Sequence, residues 1–156
     1  MERVPMTRKG AEALKETLEY LKGEKRHQIV RTIEEARAHG DLSENAEYHA
    51  AKEDQGMNEA KIKDLEDRLA RAQIIDPATI DSDKVVFGAT VSLVDDDDNA
   101  ITYQIVGVDE ADIEAGKVSI TSPIARALIG KEEGDVAVVM APGGEREYEI
   151  EKIEYI

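Results

Sequence analysis

The stretch that decides the fold is ARAHGDLSENAEYHAAKEDQ, residues 36–55. At its centre Gly40, a residue type that ends helices, is followed by Asp41 and Ser43, which are residue types that begin them. Both flanks are rich in alanine, glutamate and basic residues, which favour the helical state. The stretch therefore predicts a tight turn between two helices.

The helical composition extends outward from this turn in both directions. From about residue 7 to residue 75 the chain is rich in Ala, Glu, Lys, Arg and Leu, and no proline occurs between Pro5 and Pro77. About 30 residues per helix, at a rise of about 1.5 Å per residue, predict a rod roughly 45 Å long. We therefore expect a long antiparallel coiled-coil hairpin.

The spacing of apolar residues indicates which faces of the two helices meet. In an antiparallel hairpin the position numbers of facing residues add to a constant, here 83, which centres the turn between Asp41 and Leu42. The seven predicted pairs are Leu14 with Leu69, Leu18 with Leu65, Leu21 with Ile62, Lys25 with Asn58, Gln28 with Gln55, Thr32 with Ala51, and Glu35 with Tyr48. The middle of this seam is polar, which weakens packing but can fix register.

After Pro77 the pattern changes to alternating, β-branched runs. The predicted strands cover residues 84–94, 100–108, 117–121, 135–140 and 145–155. Ser122 and Pro123 predict the capped start of one short helix that ends near residue 129. The expected fold class is α+β, with a coiled-coil hairpin over 1–76 and a small antiparallel sheet with a short helix over 77–156.

Charge and composition narrow the classes of function. The net charge is −15, with −3 in residues 1–76 and −12 in residues 77–156. An acidic chain repels phosphate backbones, so we expect a protein partner and no independent binding to duplex DNA. The absence of cysteine excludes disulfides and thiol catalysis. Because no apolar stretch approaches the roughly 20 residues of a membrane span, we expect a cytoplasmic protein with no membrane partner.

Several segments together resemble one protein family. They are Pro5-Met6-Thr7, Gly10-Ala11-Glu12, residues 36–55, VFGATV at 86–91, SPIARALIGK at 122–131, Pro142-Gly143-Gly144 and Glu154-Tyr155-Ile156. From end to end the chain resembles the GreA-type bacterial transcription elongation factors. The resemblance implies a hairpin followed by an FKBP-like domain that docks at the rim of the RNA polymerase secondary channel. It also implies rescue of backtracked polymerase through cleavage of the nascent RNA into short 3′ fragments.

The resemblance assigns a chemical role to the hairpin turn. The family's acidic motif, D-x-x-E-N, falls on Asp41, Glu44 and Asn45. The implied role of Asp41 and Glu44 is to hold a weakly bound second Mg²⁺ in the polymerase active centre, so no cofactor is expected in the free protein. Magnesium prefers oxygen ligands, and paired metals promote phosphodiester hydrolysis, so carboxylates suit this role. The chain would then be an accessory factor, with polymerase and the RNA 3′ end as its partners.

The resemblance also implies roles for residues that have an ordinary structural explanation. The resemblance places Asn45, Arg37 and Lys52 near the extruded RNA, and Ser122 and Pro123 near the docking surface for polymerase. Without the resemblance, Asn45 is a polar residue of a first helical turn, Arg37 and Lys52 are solvated charges, and Ser122 is a helix cap.

Alternatives remain open at this point. The segment Asp41 to Glu44 also fits a capping box with Asp41 at the N-cap. A channel-binding inhibitor of polymerase would share the expected shape, although the intact D-x-x-E-N motif argues against it. Proline isomerase activity is disfavoured because residues 77–156 contain few aromatic residues to line a pocket. The three histidines lack the spacing of a zinc site.

Overall fold

A computed structural model describes residues 2–40 and 45–156, and contacts divide the chain into two compact units. One unit is Glu12–Arg71, and the other combines Met1–Ala11 with Ala72–Ile156. This division differs from the expected boundary after residue 76, because a strand near the N-terminus pairs with a strand that follows the second long helix.

Two helical arms form the hairpin. The first arm consists of α1 (Arg8–Tyr20), a single π-helical turn (Leu21–Lys25) and α2 (Arg26–Arg37), and the second arm is α3 (Ala46–Arg71). Among the described residues, ion pairs that join the arms include Lys22 with Glu66 at 3.5 Å, Lys25 with Asp54 at 3.8 Å, and Arg26 with Glu59 at 2.9 Å. From Lys22 to Arg26 the partner number falls from Glu66 to Glu59, and further along the first arm Ala36 bonds to Asn45, so the arms are antiparallel, as predicted.

The predicted inward positions agree with the structure near the base of the hairpin and along α3, but those on the first arm are wrong beyond the π turn. Leu21 and its predicted partner Ile62 are both buried. On α2, however, the predicted positions Gln28, Thr32 and Glu35 are exposed. The positions turned inward each lie one residue later: Ile29 and Ala36 are buried and Ile33 is half-buried. A π turn holds one more residue than an α turn, and this extra residue advances the inward face by one position.

The second unit contains a five-stranded sheet in the order β5-β4-β3-β7-β6. Its strands are β3 (Thr90–Asp95), β4 (Ala100–Val106), β5 (Lys117–Ser119), β6 (Val136–Ala141) and β7 (Gly144–Glu154). The α+β class is confirmed, but β5 pairs with β4 in parallel, so the sheet is mixed and not antiparallel throughout. The first predicted strand is also shorter than expected, because the chain turns at Gly88, whose φ is +91°, just before β3 begins.

Two short strands that the sequence did not predict form a separate parallel pair. They are β1 (Val4–Thr7) and β2 (Ala72–Ile75), and Val4 lies opposite Ala72. Their four-residue length and their distance in sequence leave no local signal of pairing. Both strands belong to the same compact unit as the larger sheet.

The core of this unit lies under one face of the large sheet. Its buried apolar residues are Val85, Ala89, Val91, Leu93, Ile105, Val118, Ala125, Leu128, Ala137 and Ile150. Two of them belong to α4 (Pro123–Leu128), the short helix that the sequence predicted. Within the described ranges, no helix is both long and apolar enough to cross a membrane.

Candidate functional site at the hairpin turn

The first arm ends as its sequence predicted. The amide of Ala38 donates to the carbonyl of Glu34 at 3.2 Å, and the amide of Gly40 donates to that of Arg37 at 3.3 Å. Gly40 has a φ of +106°, a left-handed conformation that favours glycine. The glycine signal therefore located the end of the arm correctly.

The two acidic residues of the predicted site, Asp41 and Glu44, lie outside the described residues, as do Leu42 and Ser43. Their assigned role in binding Mg²⁺ stays a prediction. The structure does describe the residues on both sides of them, Gly40 and Asn45, and these define where each arm ends.

Asn45 bonds with both atoms of its side-chain amide. Its Oδ1 accepts from the amide of Tyr48 at 3.0 Å, which makes Asn45 the N-cap of α3. Its Nδ2 donates to the carbonyl of Ala36 at 2.6 Å, near the end of the other arm. The sequence suggested Asp41 as the N-cap of the second helix, but the N-cap of α3 is Asn45.

The charged residues around the turn are exposed and differ in their distance from it. Arg37 is the last residue of α2, whereas Lys52 lies seven residues after Asn45, about 10 Å along α3. Lys52 Nζ donates to Gln55 Oε1 at 3.1 Å. His39 Nε2 lies 3.9 Å from Glu47 Oε2, an ion pair only when the histidine is protonated. The predicted RNA contacts of Arg37 and Lys52 stay predictions.

Metal-ligating side chains do not cluster elsewhere in the described part of the chain. Among residues 2–40 and 45–156 there is no group of three or more His, Cys, Asp or Glu side chains that could hold a metal ion. The carboxylates of Asp41 and Glu44 are not among these residues. As a donor set they suit Mg²⁺, which takes oxygen ligands and commonly only one or two protein carboxylates.

Glu110 is an important residue that sequence reasoning missed. Its Oε1 accepts from the amide of Thr7 at 2.7 Å and from that of Gly107 at 3.3 Å, and its Oε2 accepts from the Thr7 hydroxyl. The Thr7 hydroxyl oxygen in turn accepts from the amide of Gly10 at 3.1 Å. This network holds the first turn of α1 and explains why threonine and glycine occur in that segment.

The segment predicted to dock on polymerase begins α4. Ser122 Oγ accepts from the amide of Ala125 at 3.2 Å, and Pro123 occupies the first helical position, where it needs no amide partner. The capping role of Ser122 is therefore confirmed. Pro123 is exposed, and docking by this segment stays a prediction.

Comparison with known proteins gives full-length matches. Residues 4–74 match the family described as "Transcription elongation factor, N-terminal", and residues 80–155 match "Transcription elongation factor, GreA/GreB, C-term". Two relatives named transcription elongation factor GreA, from Alkalilimnicola ehrlichii and Ralstonia nicotianae, are each 59% identical to this chain. The alignments cover 99% of both chains for the first relative and 100% for the second. Among solved structures, GreA factor homolog 1 (Gfh1) of Thermus thermophilus is 29% identical, with a TM-score of 0.44, over 98% of this chain and 99% of that one.

Proposed function

Because the chain belongs to the GreA/GreB family of transcription elongation factors, we propose that it binds RNA polymerase and stimulates cleavage of backtracked nascent RNA. The observation that carries the proposal is the match to GreA over the whole chain, with D-x-x-E-N intact at the hairpin turn. In this proposal the hydrolysis is polymerase's own reaction. The chain is an accessory factor and not an enzyme.

The shape of the hairpin supports insertion through the secondary channel. Its second arm is one uninterrupted helix of 26 residues, about 39 Å long, and ion pairs brace it against the first arm. Because such an arm is already helical, it can place the turn deep in a narrow channel, and no segment has to fold on binding. Little ordering entropy would then oppose binding.

Asp41 and Glu44 supply carboxylate oxygens to the second Mg²⁺ of the polymerase active centre. The bound metal stabilises charge on the phosphate and activates water. Two carboxylates on a turn satisfy only part of the octahedral shell of Mg²⁺, so polymerase and RNA must complete it. This incomplete donor set is the physical reason why cleavage should require polymerase.

The neighbouring polar residues then position the RNA and the turn. Arg37, exposed at the end of α2, and Lys52 on α3 offer positive charge to the phosphates of the extruded RNA segment. Asn45 already uses both atoms of its amide within the hairpin, which supports a role in holding the turn. The half-buried Ser122 and the exposed Pro123, at the start of α4, supply the docking contact with polymerase.

The test is transcript cleavage in artificially backtracked complexes of purified polymerase. We expect the chain to accelerate release of short 3′ RNA fragments, and to leave the same RNA intact when polymerase is omitted. Slower nucleotide addition with no fragment release would instead identify a channel-binding inhibitor. Hydrolysis of free RNA by the wild-type chain but not by Asp41→Asn would contradict the accessory role.

A further inference from the structure

The first arm of the hairpin contains one residue more than a regular α-helix would. Up to the first residue of the π turn, the inward positions of this arm are Leu14, Leu18 and Leu21, spaced by four and three. Continuing that spacing through residue 25 reaches positions 28, 32 and 35, whereas the inward positions of α2 are 29, 33 and 36. The π turn at Leu21–Lys25 supplies the offset.

Without this offset the second half of the first arm would bury the wrong side chains. Thr32 and the carboxylate of Glu35 would face α3 in place of Ile33 and Ala36. Burying an unpaired carboxylate is unfavourable by several kcal/mol or more, whereas burying alanine is not. The sequence of α2 is therefore compatible with α3 only if an extra residue precedes it.

Asn58, on the opposite arm, contacts the π turn directly. Its side chain is only 4% exposed, and its Nδ2 donates to the carbonyl of Leu21, the first residue of the π turn, at 3.1 Å. Within the described chain its Oδ1 has no hydrogen-bond partner. Burying an amide in a seam is unfavourable unless the amide forms a hydrogen bond. The hydrogen bond to the Leu21 carbonyl therefore explains why an asparagine is favourable at this buried position.

We propose that Asn58 is a positioning residue whose amide holds the π turn, and that the π turn sets the rotation of α2 against α3. The consequence reaches the end of the hairpin, because the advanced face is the one that turns Ala36 toward the second arm. The carbonyl of Ala36 then accepts from Asn45, 13 residues or about 20 Å from Asn58 along α3. This inference concerns the free chain and does not depend on the proposed function.

Gly23 makes the proposal testable by a mutant cycle. A side chain added at Gly23 would meet no atom within 4 Å, and deletion of this glycine removes no side chain from the seam. Shortening the π turn by one residue gives a regular α-helix in which every residue of α2 keeps its inward or outward position. The deletion also removes the π turn to which Asn58 is hydrogen-bonded.

The cycle compares four full-length chains: wild type, Asn58→Leu, deletion of Gly23, and the two changes together. Asn58→Leu alone removes the side-chain donor to the Leu21 carbonyl, and we expect its melting temperature to fall by about 5 °C. In the Gly23-deleted chain, the same substitution should leave the melting temperature unchanged or raise it. An equal fall in both backgrounds would overturn the proposal.

Hydrogen exchange gives a second test that does not require the deleted chain to fold. Asn58→Leu should speed amide exchange across residues 21–26 by at least tenfold. The matched control is Gln55→Leu, which also replaces a polar residue on the inward face of α3. Among the described residues the hydrogen bond of the Gln55 side chain is with Lys52 and not with the π turn. Equal acceleration at residues 21–26 by both substitutions would show that Asn58 only fills space.

Discussion

At the residue scale, the described end of the hairpin depends on Asn45, which caps α3 and also bonds to the opposite arm. Asn45→Ala removes both bonds, and we expect it to lower the free energy of unfolding by about 1–2 kcal/mol. Asn45→Ser keeps a capping oxygen but is too short to reach the Ala36 carbonyl, so its loss should be smaller. Urea unfolding measures both, and a stability of Asn45→Ala equal to wild type would contradict the double role.

The pKa of Asp95 predicts how the stability of the fold depends on pH. The amide of Asn99 donates to its carboxylate at 2.9 Å, and this bond, with a second from the amide of Asp97, holds the pKa of Asp95 below its ordinary value of 3.8. A folded-state pKa below the unfolded one stabilises the fold above pH 3.8, and that support is lost as the pH falls through the folded pKa. Titration of Asp95 by NMR should show a midpoint below 3.8. A midpoint at or above 3.8 would mean that the turn does not favour the charged carboxylate.

At the element scale, the sequence predicted the features that follow from local chemistry. Gly40 marked the end of the first arm, and Ser122 with Pro123 marked the start of α4. The base of the seam was also correct, since Leu21 and Ile62 carry the apolar spacing there. Each of these signals involves residues close in sequence or a regular helical period.

The sequence also contained the information for the π turn, although the predicted pairs missed it. Ile29, Ile33 and Ala36 are apolar with helical spacing, but they lie one position out of phase with Leu14, Leu18 and Leu21. A strict heptad pattern assumes a single phase and therefore assigned Gln28, Thr32 and Glu35 to the seam. Two apolar stripes offset by one residue are the signal of an inserted residue.

Pairing between distant strands could not be predicted. The strands β1 and β2 are four residues long and 68 positions apart, and β5 joins β4 in parallel over only three residue pairs. Such pairings are decided by packing of the whole unit, because short strands carry little alternation of their own. Glu110 was missed for the same reason, since its partner Thr7 lies 103 residues earlier in the chain.

The Glu110 network gives a prediction at this scale. Glu110→Ala removes the acceptor for the amide of Thr7, and we expect a loss of about 1–3 kcal/mol in unfolding free energy. A side chain at Gly10 would come within 2.2 Å of the Glu110 carboxyl carbon, so Gly10→Ala should displace Glu110 and produce a similar loss. Because both changes break one network, the double variant should lose little more than either single variant. Additive losses measured by urea unfolding would show that they act separately.

At the scale of the whole molecule, a substitution at Pro123 should weaken docking on polymerase without lowering the stability of the fold. Pro123→Ala keeps the Ser122 cap of α4, so the unfolding free energy should change by less than about 0.5 kcal/mol. If this segment docks, the variant should nevertheless compete more weakly for polymerase. Ser122→Ala changes the same proposed docking segment and also loses the cap, so it should compete more weakly and in addition lose about 1 kcal/mol of unfolding free energy. Unchanged competition by both variants would place the docking surface elsewhere.

The central claim is that the carboxylate of Asp41 acts in the polymerase active centre and not as a helix cap. Because Asn45 caps α3, we expect Asp41→Asn and Asp41→Ala each to change the unfolding free energy by less than about 0.5 kcal/mol. Binding to polymerase should also be retained, since the proposed docking contact lies in α4.

The most direct measurement is therefore the rate of RNA cleavage in backtracked polymerase complexes saturated with Asp41→Asn, compared with the wild-type chain. Asparagine keeps the size and polarity of aspartate but removes the negative ligand. The account predicts that cleavage falls by orders of magnitude and recovers in part when the Mg²⁺ concentration is raised. Cleavage by Asp41→Asn at the wild-type rate would contradict it.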